Sequence, residues 1–387
     1  MRSVYLDNAS TTRLDTRVLD AMMPFLTECF GNPSSLHSYG TRSKEAMDAM
    51  RSLLAGFINA QAGEIIFTSG GTEANNLALK GTAFANRHRG NHIIVSAIEH
   101  DCILKTCAWL ATQGFRITYL PVGEDGIVDT SSLINELKTP GTILVSVMHV
   151  NNETGTIQPI EEIGKICAEH HVPFHTDACQ SFGKIPIDVR ASNISMMSLN
   201  AHKIYGPKGV GCLYIKEGTQ LSPLFHGGGQ EQGLRSTTEN LAGIAGFAKA
   251  AEICHNEMQS ETERLSAIRK MLLDNVQEKF DGFYLNGDEN RGIPNIINFA
   301  ISGLEGETMR LLLHLDERGI AVSAGSACSN NDTTKSASHV LSAMGRGQFE
   351  ARGAVRVSPG RFTTTEDILY FIQEFTASIH KLNPIFS

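Results

Sequence analysis

The sequence predicts an α/β fold with a mostly parallel sheet, from three observations. Short apolar segments alternate with segments of helical periodicity from about residue 42 onward. The apolar segments have the length of buried strands, and the helical segments between them are long enough for the crossovers that parallel strands require. After Leu241 the alternation stops, and a charged, amphipathic stretch continues through Lys279. This pattern predicts a sheet covered by helices on both faces and a smaller α+β domain that follows a linker helix.

The predicted elements follow in chain order. The seven strands of the large sheet are placed at residues 64–68, 92–96, 116–120, 142–147, 173–175, 196–199 and 211–215. Beyond the linker helix, residues 295–300 form an apolar strand and residues 306–318 a helix. We assign residues 16–255 to the large domain, and residues 1–15 and 256–387 to the small domain.

The composition argues against several classes of protein. The formal net charge is −8 and no block of lysines and arginines occurs, so no direct contact with nucleic acid is expected. The apolar runs fall well short of the roughly 20 residues that span a bilayer, and no signal peptide precedes Val4. We therefore expect a cytoplasmic protein. Its eight cysteines suit neither a disulfide framework nor a metal site, and we interpret seven of them as buried small apolar residues.

A lysine and an aspartate together indicate one cofactor. Lys203 lies between a histidine and a Gly/Pro turn, and Asp177 follows the short apolar segment that contains Phe174. A pyridoxal phosphate enzyme needs a lysine that holds the cofactor as a Schiff base and a carboxylate that keeps the pyridine nitrogen protonated. Each residue alone has an ordinary alternative, a solvated charge for the lysine and a helix cap for the aspartate. Both follow predicted strands, however, and open α/β sheets bind ligands at the carboxyl ends of strands.

Residues 64–75 predict a strand, a tight glycine turn and the start of a helix. Backbone N–H groups at the helix amino terminus, with Gly71 in the turn and the Thr72 hydroxyl beside them, form an anion site suited to a phosphate. The alternative is an ordinary strand-to-helix turn in which Thr72 is the N-cap. The presence of Lys203 favours the phosphate interpretation.

Two further polar residues follow predicted strands. His100 comes after the strand at residues 92–96, and its imidazole is suited to stacking on a pyridine ring and to moving protons, although a lone histidine is more often structural. Asn152 follows the strand at residues 142–147, where it is placed to reach a cofactor hydroxyl or a substrate carboxylate. Both are candidates for the same site.

Six segments together resemble the cysteine desulfurases, and the resemblance extends from one end of the chain to the other. They are residues 5–9 (YLDNA), 31–35 (GNPSS), 69–73 (SGGTE), 150–153 (VNNE), 177–180 (DACQ) and 202–209 (HKIYGPKG). The family belongs to the class V aminotransferase branch of the fold type I pyridoxal phosphate enzymes, and the chain is similar to the group that serves iron–sulfur scaffolds. The resemblance implies pyridoxal phosphate as cofactor and removal of sulfur from L-cysteine to give L-alanine.

Carried over position by position, the resemblance implies a set of cofactor-binding residues. The set is Lys203, Asp177, Gln180, Gly71, Thr72, His202, Asn200, Asn152 and Thr238. Gln180 would donate to the phenolic oxygen of the cofactor, and Thr72 and His202 would hold its phosphate. Thr238 would reach the site from a second subunit, which implies a homodimer with shared active sites.

The resemblance also implies a substrate side. Arg356 would clamp the substrate carboxylate with its planar fork, together with Asn152 and Asn8; the alternative for Arg356 is a surface ion pair.

Two positions depart from the family pattern: Asn200 stands in place of a phosphate-binding serine, and Thr237 in place of a glycine. An asparagine amide can still donate to a phosphate oxygen. A β-branched residue at positive φ would be costly, so the loop at Thr237 is expected to differ.

The candidate nucleophile is Cys328. Residues 323–336 are small and polar, which predicts a mobile loop without the apolar neighbours of an inert buried cysteine. In the expected reaction, free cysteine displaces Lys203 from the cofactor and Lys203 removes the α-proton, while His100 assists. The Cys328 thiolate then attacks the substrate sulfur, so that alanine leaves and Cys328 holds a persulfide. Mobility would allow the thiol to serve both the pocket and an acceptor outside it.

The expected partners are L-cysteine, a second copy of the chain, and a sulfur acceptor that is either an iron–sulfur scaffold or a nucleic-acid thiolation enzyme. Ligation of an iron–sulfur cluster by Cys328 during transfer is a further expectation. A selenocysteine lyase and a class V aminotransferase stay open as alternatives, because Lys203 and Asp177 would serve them equally well; Cys328 argues against the aminotransferase. A catalytically weak binding platform is disfavoured by the intact set of catalytic residues.

Overall fold

The computed structural model describes residues 2–324 and 337–382, which excludes Cys328. The helices are α1 (Thr16–Thr27), α2 (Ser38–Gly56), α3 (Gly71–Ala85), α4 (Asp101–Thr112), α5 (Thr130–Leu137), α6 (Ile160–Glu169), α7 (Leu241–Lys279), α8 (Thr308–Glu317), α9 (His339–Ala343) and α10 (Thr365–Leu382). The strands are β1 (Val4–Tyr5), β2 (Ile65–Thr68), β3 (His92–Ser96), β4 (Arg116–Leu120), β5 (Thr142–Ser146), β6 (Phe174–Asp177), β7 (Met196–Asn200), β8 (Gly211–Ile215), β9 (Phe283–Leu285), β10 (Ile297–Ile301), β11 (Ile320–Ala321) and β12 (Val355–Val357).

The central sheet has seven strands in the order β2-β8-β7-β6-β5-β3-β4. The pairs from β7 to β4 are all parallel, and β8 is antiparallel to both of its neighbours. This confirms the predicted α/β class with a mostly parallel seven-stranded sheet. From β3 the chain adds β4 on one side of the sheet, and from β5 onward it adds strands on the other side. Because the strand order reverses between β3 and β5, loops from distant parts of the sequence meet at the carboxyl edge.

Both faces of the sheet are buried, as the sequence predicts. On β3, Ile94 packs into one apolar cluster, whereas its neighbours Ile93 and Val95 pack into another. Because successive side chains of a strand point to opposite faces, these two clusters lie on opposite sides of the sheet. The helices cover both sides, which explains why the inner strands are almost fully buried and why β2, β3 and β5 are mainly apolar, whereas the edge strand β4 alternates apolar and polar residues.

Apart from the two clusters on the central sheet, a third apolar cluster forms around a small antiparallel sheet in the order β12-β10-β9. It includes α8, α10 and the short parallel pair β1–β11. Helix α7 connects the two parts of the molecule. Its first half, including Ile244 and Phe247, packs in a cluster on the central sheet. Its second half, including Leu272 and Val276, packs in the cluster around the small antiparallel sheet. The predicted linker helix is therefore present, while the exact domain boundaries stay a prediction.

The predicted element ends differ from the observed ones by a few residues. Strand β6 continues to Asp177, two residues beyond its predicted end, because it keeps pairing with β7 through the Asp177–Ser198 partners. Thr237 is not among the described non-glycine residues with positive φ, so this position carries no such strain. None of the described helices has the length and apolar character that would let it cross a membrane.

Candidate active site

A cavity of about 480 Å³ opens at the carboxyl edge of the central sheet. Segments that follow β2, β3, β5, β6 and β7 contribute to its lining. The cavity is lined by every predicted cofactor-binding residue except Thr238, and also by His100: Gly71, Thr72, His100, Asn152, Asp177, Gln180, Asn200, His202 and Lys203. The parallel strands therefore gather residues that are more than a hundred positions apart in the sequence.

The glycine turn after β2 shapes one wall of this cavity. Gly70 has φ 153° and ψ −179°, a conformation that side chains rarely adopt. A Cβ on Gly71 would lie 2.5 Å from the Cys179 Sγ atom, so only glycine lets α3 approach this closely. Gly70 is the N-cap of α3 and no side chain caps the helix, which rules out Thr72 as the N-cap. The first N–H groups of α3 are thus placed for an anion.

Other polar groups around the turn fit a phosphate. The Nδ2 group of Asn200 can donate to a phosphate oxygen, whereas its Oδ1 atom, buried without a hydrogen-bond partner among the described residues, is an acceptor and needs a donor such as water. His202 binds the Thr11 hydroxyl through Nδ1 at 3.2 Å. Burial, followed by the charge of Lys203, lowers the pKa of His202 to about 4, so the ring is neutral. Lys203 and Lys208 supply positive charge to the same cavity.

Asp177 is a buried carboxylate at the end of β6. Its Oδ1 atom accepts from the Cys179 backbone N–H at 2.9 Å, and its Oδ2 atom accepts from Asn75 Nδ2 at 2.7 Å. Within residues 2–324 and 337–382 it makes no ion pair. A buried carboxylate held only by neutral donors can stabilise a positive charge brought by a ligand, such as a protonated pyridine nitrogen.

Lys203 lies in a tight turn directly after β7. The carbonyl of Ala201 accepts both from Ile204 N–H and from Gly206 N–H, each at 3.0 Å. Tyr205 has φ 66°, an unusual conformation for this residue type, and it is held there by a 2.8 Å bond from its N–H to the Thr12 hydroxyl. The turn is thus fixed by hydrogen bonds on both sides of the lysine, so the backbone position from which the Lys203 side chain enters the cavity is fixed as well.

His100 is the N-cap of α4, and its Nδ1 atom accepts from the Cys102 backbone N–H at 3.2 Å. The nitrogen that accepts this bond carries no proton, so the neutral ring is protonated at Nε2. Burial, followed by the charge of Lys203, lowers the pKa of His100. The site therefore keeps a neutral imidazole beside the lysine.

The Gln180 side chain is oriented by two contacts. Its Nε2 atom donates to the Ala9 carbonyl at 2.9 Å, and its Oε1 atom accepts from Lys184 Nζ at 3.0 Å. The amide oxygen is therefore committed to Lys184, and the second N–H of Nε2 is the group left to donate to a ligand in the cavity. Burial, followed by the charge of Lys203, lowers the pKa of Lys184 to about 7.

Arg356 lies behind the cavity wall. It is 2% exposed, which rules out the surface ion pair. Its guanidinium donates to the Asn152 carbonyl at 2.8 Å, to the Ser10 hydroxyl at 2.8 Å and to Asp7 Oδ1 at 2.9 Å. Ser10 and Asn152 both line the cavity, so Arg356 is one residue away from it.

Two other predicted residues, Asn8 and Thr238, do not line the described cavity. Asn8 is buried and donates from Nδ2 to the Ser358 carbonyl at 2.9 Å. Thr238 is exposed on the surface. Cys328 lies outside the described residues. The described residues on either side of Cys328 are close to the cavity wall, because Ser323 pairs with Arg356 by two backbone hydrogen bonds.

The sequence analysis missed three residues of this site. Cys102 and Cys179 both line the cavity; Cys179 is buried as predicted, whereas Cys102 is only partly buried, so the interpretation as a buried apolar residue is wrong for Cys102. The other five described cysteines pack in apolar clusters as expected: Cys29, Cys107, Cys167, Cys212 and Cys254. Asn75 also lines the cavity. It lies one helical turn after Gly71, and this spacing is the signal that could have found it.

The fold and the cavity together define a fold type I pyridoxal phosphate enzyme. The anion site at α3, the unpaired carboxylate and the lysine on its fixed turn fit the phosphate, the pyridine nitrogen and the aldehyde of this cofactor.

Comparisons with known proteins give the same class. Residues 4–371 match the family model described as Aminotransferase class-V. "Cysteine desulfurase IscS" of Dictyoglomus turgidum is 48% identical over 384 residues, which cover 99% of this chain and 96% of the relative. A solved "NIFS-LIKE PROTEIN" aligns with a TM-score of 0.91 at 36% identity, covering 98% of this chain and 100% of that one. "SspA in complex with cysteine" aligns with a TM-score of 0.83 at 37% identity, covering 94% and 100%.

The chain therefore belongs to the class V aminotransferase family and, within it, to the cysteine desulfurases. Enzymes of this family depend on pyridoxal phosphate, as the sequence predicts.

Proposed function

We propose that the protein removes sulfur from L-cysteine, releases L-alanine and holds the sulfur as a persulfide on Cys328 for transfer to an acceptor protein. The observation that carries the proposal is the convergence of Lys203, Asp177 and His100 on one cavity in a cysteine desulfurase chain. The reaction balances: L-cysteine and one enzyme thiol give L-alanine and one enzyme persulfide. The carbon–sulfur bond of the substrate breaks and a sulfur–sulfur bond forms.

The residues present fit pyridoxal phosphate, which when bound withdraws electrons from the substrate α-carbon. Lys203 would hold the cofactor covalently, the N–H groups of α3 with Thr72 and His202 would hold its phosphate, and Asp177 would keep its ring nitrogen protonated. Gln180 would donate to its phenolic oxygen through the N–H that Ala9 and Lys184 leave available.

Lys203 and His100 are suited to moving protons. The amine of Lys203 would take the proton from the substrate α-carbon. Burial, followed by the Lys203 charge, lowers the pKa of His100, and the neutral ring, which carries its proton on Nε2, can donate from that atom near this point. Neither group needs to move far, since both line the same cavity.

Arg356 is suited to binding the substrate carboxylate. Its Nε atom is buried and has no hydrogen-bond partner among the described residues, so one donor of the fork is unused. A buried charged donor without a partner is costly, and a carboxylate that entered beside Ser10 and Asn152 would relieve that cost. Asn152 would contribute from the cavity lining, and Asn8 would support the same wall.

The anchors on both sides of Cys328 support its role as the nucleophile. Before it, Ser323 N–H donates to the Arg356 carbonyl at 3.2 Å and the Ser323 carbonyl accepts from Arg356 N–H at 2.7 Å. After it, the Ser338 hydroxyl donates to Glu153 Oε2 at 2.5 Å. Glu153 is the neighbour of Asn152 in the cavity wall, so the chain leaves and returns beside the substrate side of the cavity.

A homodimer is part of the proposal. The segment from α1 to α2 carries an apolar patch, defined as Leu26, Phe30, Leu36 and Tyr39, whose side chains are all exposed, Leu36 by 99%. Contiguous apolar surface of this kind is typical of protein interfaces. Thr238 is exposed and does not line its own chain's cavity, which agrees with a role in the cavity of a second copy.

A mixing experiment tests this shared site. Lys203→Ala and Thr238→Ala chains are unfolded together and refolded, and alanine formation is compared with each variant alone. If Thr238 serves the partner's cavity, the mixed dimer contains one intact site and activity rises above both variants. If Thr238 serves its own chain, or not at all, mixing restores nothing. Sedimentation of the parent and of Leu36→Asp reports whether the apolar patch holds the dimer.

The function is tested by measuring alanine and sulfide release from L-cysteine in the presence of a thiol reductant. The parent, Cys328→Ala and Lys203→Ala are compared after loading with pyridoxal phosphate. Alanine formation by the parent alone supports the persulfide mechanism. Alanine that persists without Cys328 indicates a lyase, with L-selenocysteine as the substrate to test next. Formation of 3-mercaptopyruvate, the 2-oxo acid of cysteine, indicates transamination.

A further inference from the structure

Cys102 is the second residue of α4 and connects two groups of the candidate site. Its Sγ atom lies 3.1 Å from His100 Nδ1 and 3.1 Å from Asn75 Nδ2. Asn75 Nδ2 is also 2.7 Å from Asp177 Oδ2. A continuous series of contacts therefore runs from the carboxylate of Asp177 through an amide and a thiol to the imidazole of His100.

The directions of these hydrogen bonds follow from the donors present. His100 Nδ1 already accepts the backbone N–H of Cys102 at 3.2 Å, so it has no proton to give to sulfur. Of the two atoms in the 3.1 Å contact only Sγ carries a proton, so the thiol donates its S–H and shares Nδ1 with the backbone N–H of Cys102, while Sγ itself is also hydrogen-bonded to the Thr72 side chain. The two N–H groups of Asn75 Nδ2 are divided between Asp177 Oδ2 and Cys102 Sγ. Every bond in the series has one donor and one acceptor.

The thiol keeps its proton across the working pH range. Burial, followed by the negative charge of Asp177, raises the pKa of Cys102 to about 12. A thiol in this environment is a poor nucleophile and a persistent, if weak, hydrogen-bond donor. Cys102 is therefore unsuited to the role given to Cys328 and suited to holding a neighbour in place.

We infer that Cys102 is a positioning residue, whose S–H group donates to His100 Nδ1 and keeps the ring neutral with its proton on Nε2. Asn75 extends this effect to Asp177, so the carboxylate and the imidazole of the candidate site share one hydrogen-bonded series. The inference deepens the proposed function, because the part of His100 in the reaction rests on that proposal. It goes beyond it in giving a role to a cysteine that transfers no sulfur.

The charged and titratable groups that face His100 come from several elements. Lys203 after β7 and His339 of α9 disfavour a positive ring, whereas Asp177 of β6 and Asp101 of α4 favour it. Substituting Cys102 leaves all four in place. The S–H donor acts in the same direction as Lys203 and His339, because a neutral donor to Nδ1 stabilises the unprotonated ring. Its removal therefore raises the pH at which His100 becomes protonated.

The test compares Cys102→Ala with Cys102→Ser in the holoenzyme. The hydroxyl of serine can donate to Nδ1 and alanine cannot. We expect the acid limb of the kcat/KM profile for L-cysteine to move upward by roughly 0.5 to 1 pH unit in the alanine variant, the worth of one neutral hydrogen bond. The serine variant should keep the acid limb of the parent. Identical limbs in all three proteins would overturn the inference.

A packing role makes the opposite prediction for the pair. If Cys102 only fills space, the polar serine harms the enzyme at least as much as alanine and neither moves the acid limb. Cys107 on the same helix supplies the matched control, because it is fully buried in an apolar cluster. Cys107→Ser should lower the melting temperature more than Cys107→Ala, and neither should change the pH profile.

A readout that needs no activity separates this inference from the proposed function. Long-range ¹H–¹⁵N spectra of ¹⁵N-histidine in the cofactor-free chain report the tautomer and titration of each ring, and His100→Gln assigns the signal. We expect the His100 ring to be the Nε2–H tautomer in the parent. Its protonation should occur at a higher pH in Cys102→Ala than in the parent, and at the same pH as the parent in Cys102→Ser. A ring protonated on Nδ1 would refute the inference even in an active enzyme. The same spectra stay informative if the parent forms no alanine.

Discussion

The two sides of the cavity are held together in different ways. On the sheet side, Lys203 and Asp177 come directly after β7 and β6, and their positions follow from the register of two neighbouring parallel strands. On the other side, Arg356 lies on β12 of the small sheet and is fixed by Asp7, 349 positions away in the sequence. The side proposed to hold the cofactor is therefore a property of one sheet, whereas the side proposed to bind the substrate depends on the packing of the small region against the amino-terminal segment.

Under the proposed function, this difference separates the residues proposed for the chemistry from the residue proposed to bind the substrate carboxylate. Sheet-side groups are rigid because the strands beneath them are fully buried. Groups on the other side rely on a few side-chain bonds between distant segments, such as the pair of Arg356 with Asp7. Substitutions on the two sides should consequently differ in whether they lower kcat or raise KM.

The largest effect is expected for Asp177→Asn, on the sheet side. The amide has the size of the carboxylate but no charge to keep a pyridine nitrogen protonated, so kcat should fall on the order of 10²- to 10³-fold. The measurement is alanine formation at saturating L-cysteine, with cofactor content determined from absorbance. The exposed Asp281→Asn is the control. A kcat within a few-fold of the parent at full cofactor content would show that Asp177 has no such role.

The next effect is expected on the other side, for Arg356→Lys. Lysine keeps the positive charge near Asp7 but lacks the fork that would bind a carboxylate with two parallel bonds. The loss of one charge-assisted hydrogen bond corresponds to a fall in kcat/KM of roughly 10- to 100-fold, mostly as a higher KM. Steady-state kinetics measure this, with the exposed Arg352→Lys as control. An unchanged KM would place the substrate carboxylate elsewhere.

The same contrast explains what the sequence could predict. The mostly parallel sheet, the glycine turn and the residues that line the cavity follow from strands that alternate with helices and from polar residues at strand ends, whereas the strand order was not predicted. Cys102 and Asn75 were missed because their roles depend on which helix faces meet above the sheet. The surroundings of Arg356 were missed because nothing local in the sequence connects it to Asp7 or Asn152.

A smaller effect on stability is expected on the sheet side from Lys184. Its pKa is about 7 in the folded protein and 10.5 for an ordinary lysine, so the unfolded chain binds more protons between these pH values. The folded state therefore gains stability as the pH rises through this window. Lys184→Met lacks this titration. The melting temperature of the cofactor-free variant minus that of the parent should fall as the pH rises from 7 to 10, on the order of several degrees.

The exposed Lys270→Met is the control for this pH dependence, because Lys270 pairs only at the surface of α7 with Asp274. All other titrating groups are common to parent and variant and cancel in the difference. A difference for Lys184→Met that stays level across the window would show that Lys184 is not held with a lowered pKa.

The smallest effect is expected at Ser338, on the side of the small region. Its hydroxyl caps α9 by accepting from Leu341 N–H at 3.1 Å and donates to the buried Glu153. Glu153 Oε1 has no hydrogen-bond partner among the described residues, so Ser338→Ala would leave both carboxylate oxygens without one. We expect a loss of about 1–3 kcal/mol in the free energy of unfolding, from the lost cap and the unpaired acceptor.

Denaturant unfolding of Ser338→Ala measures this loss, with Ser342→Ala as the control, since the exposed Ser342 hydroxyl donates only to a carbonyl of its own helix end. Ser338 follows the segment that contains Cys328, so the same variant also tests whether this anchor serves the reaction. If it does, kcat falls a few-fold while cofactor content stays that of the parent. If the free energy of unfolding drops and kcat does not, Ser338 stabilises the small region without positioning the nucleophile. The two sides of the cavity would then differ in how they are held together more than in their effect on kcat.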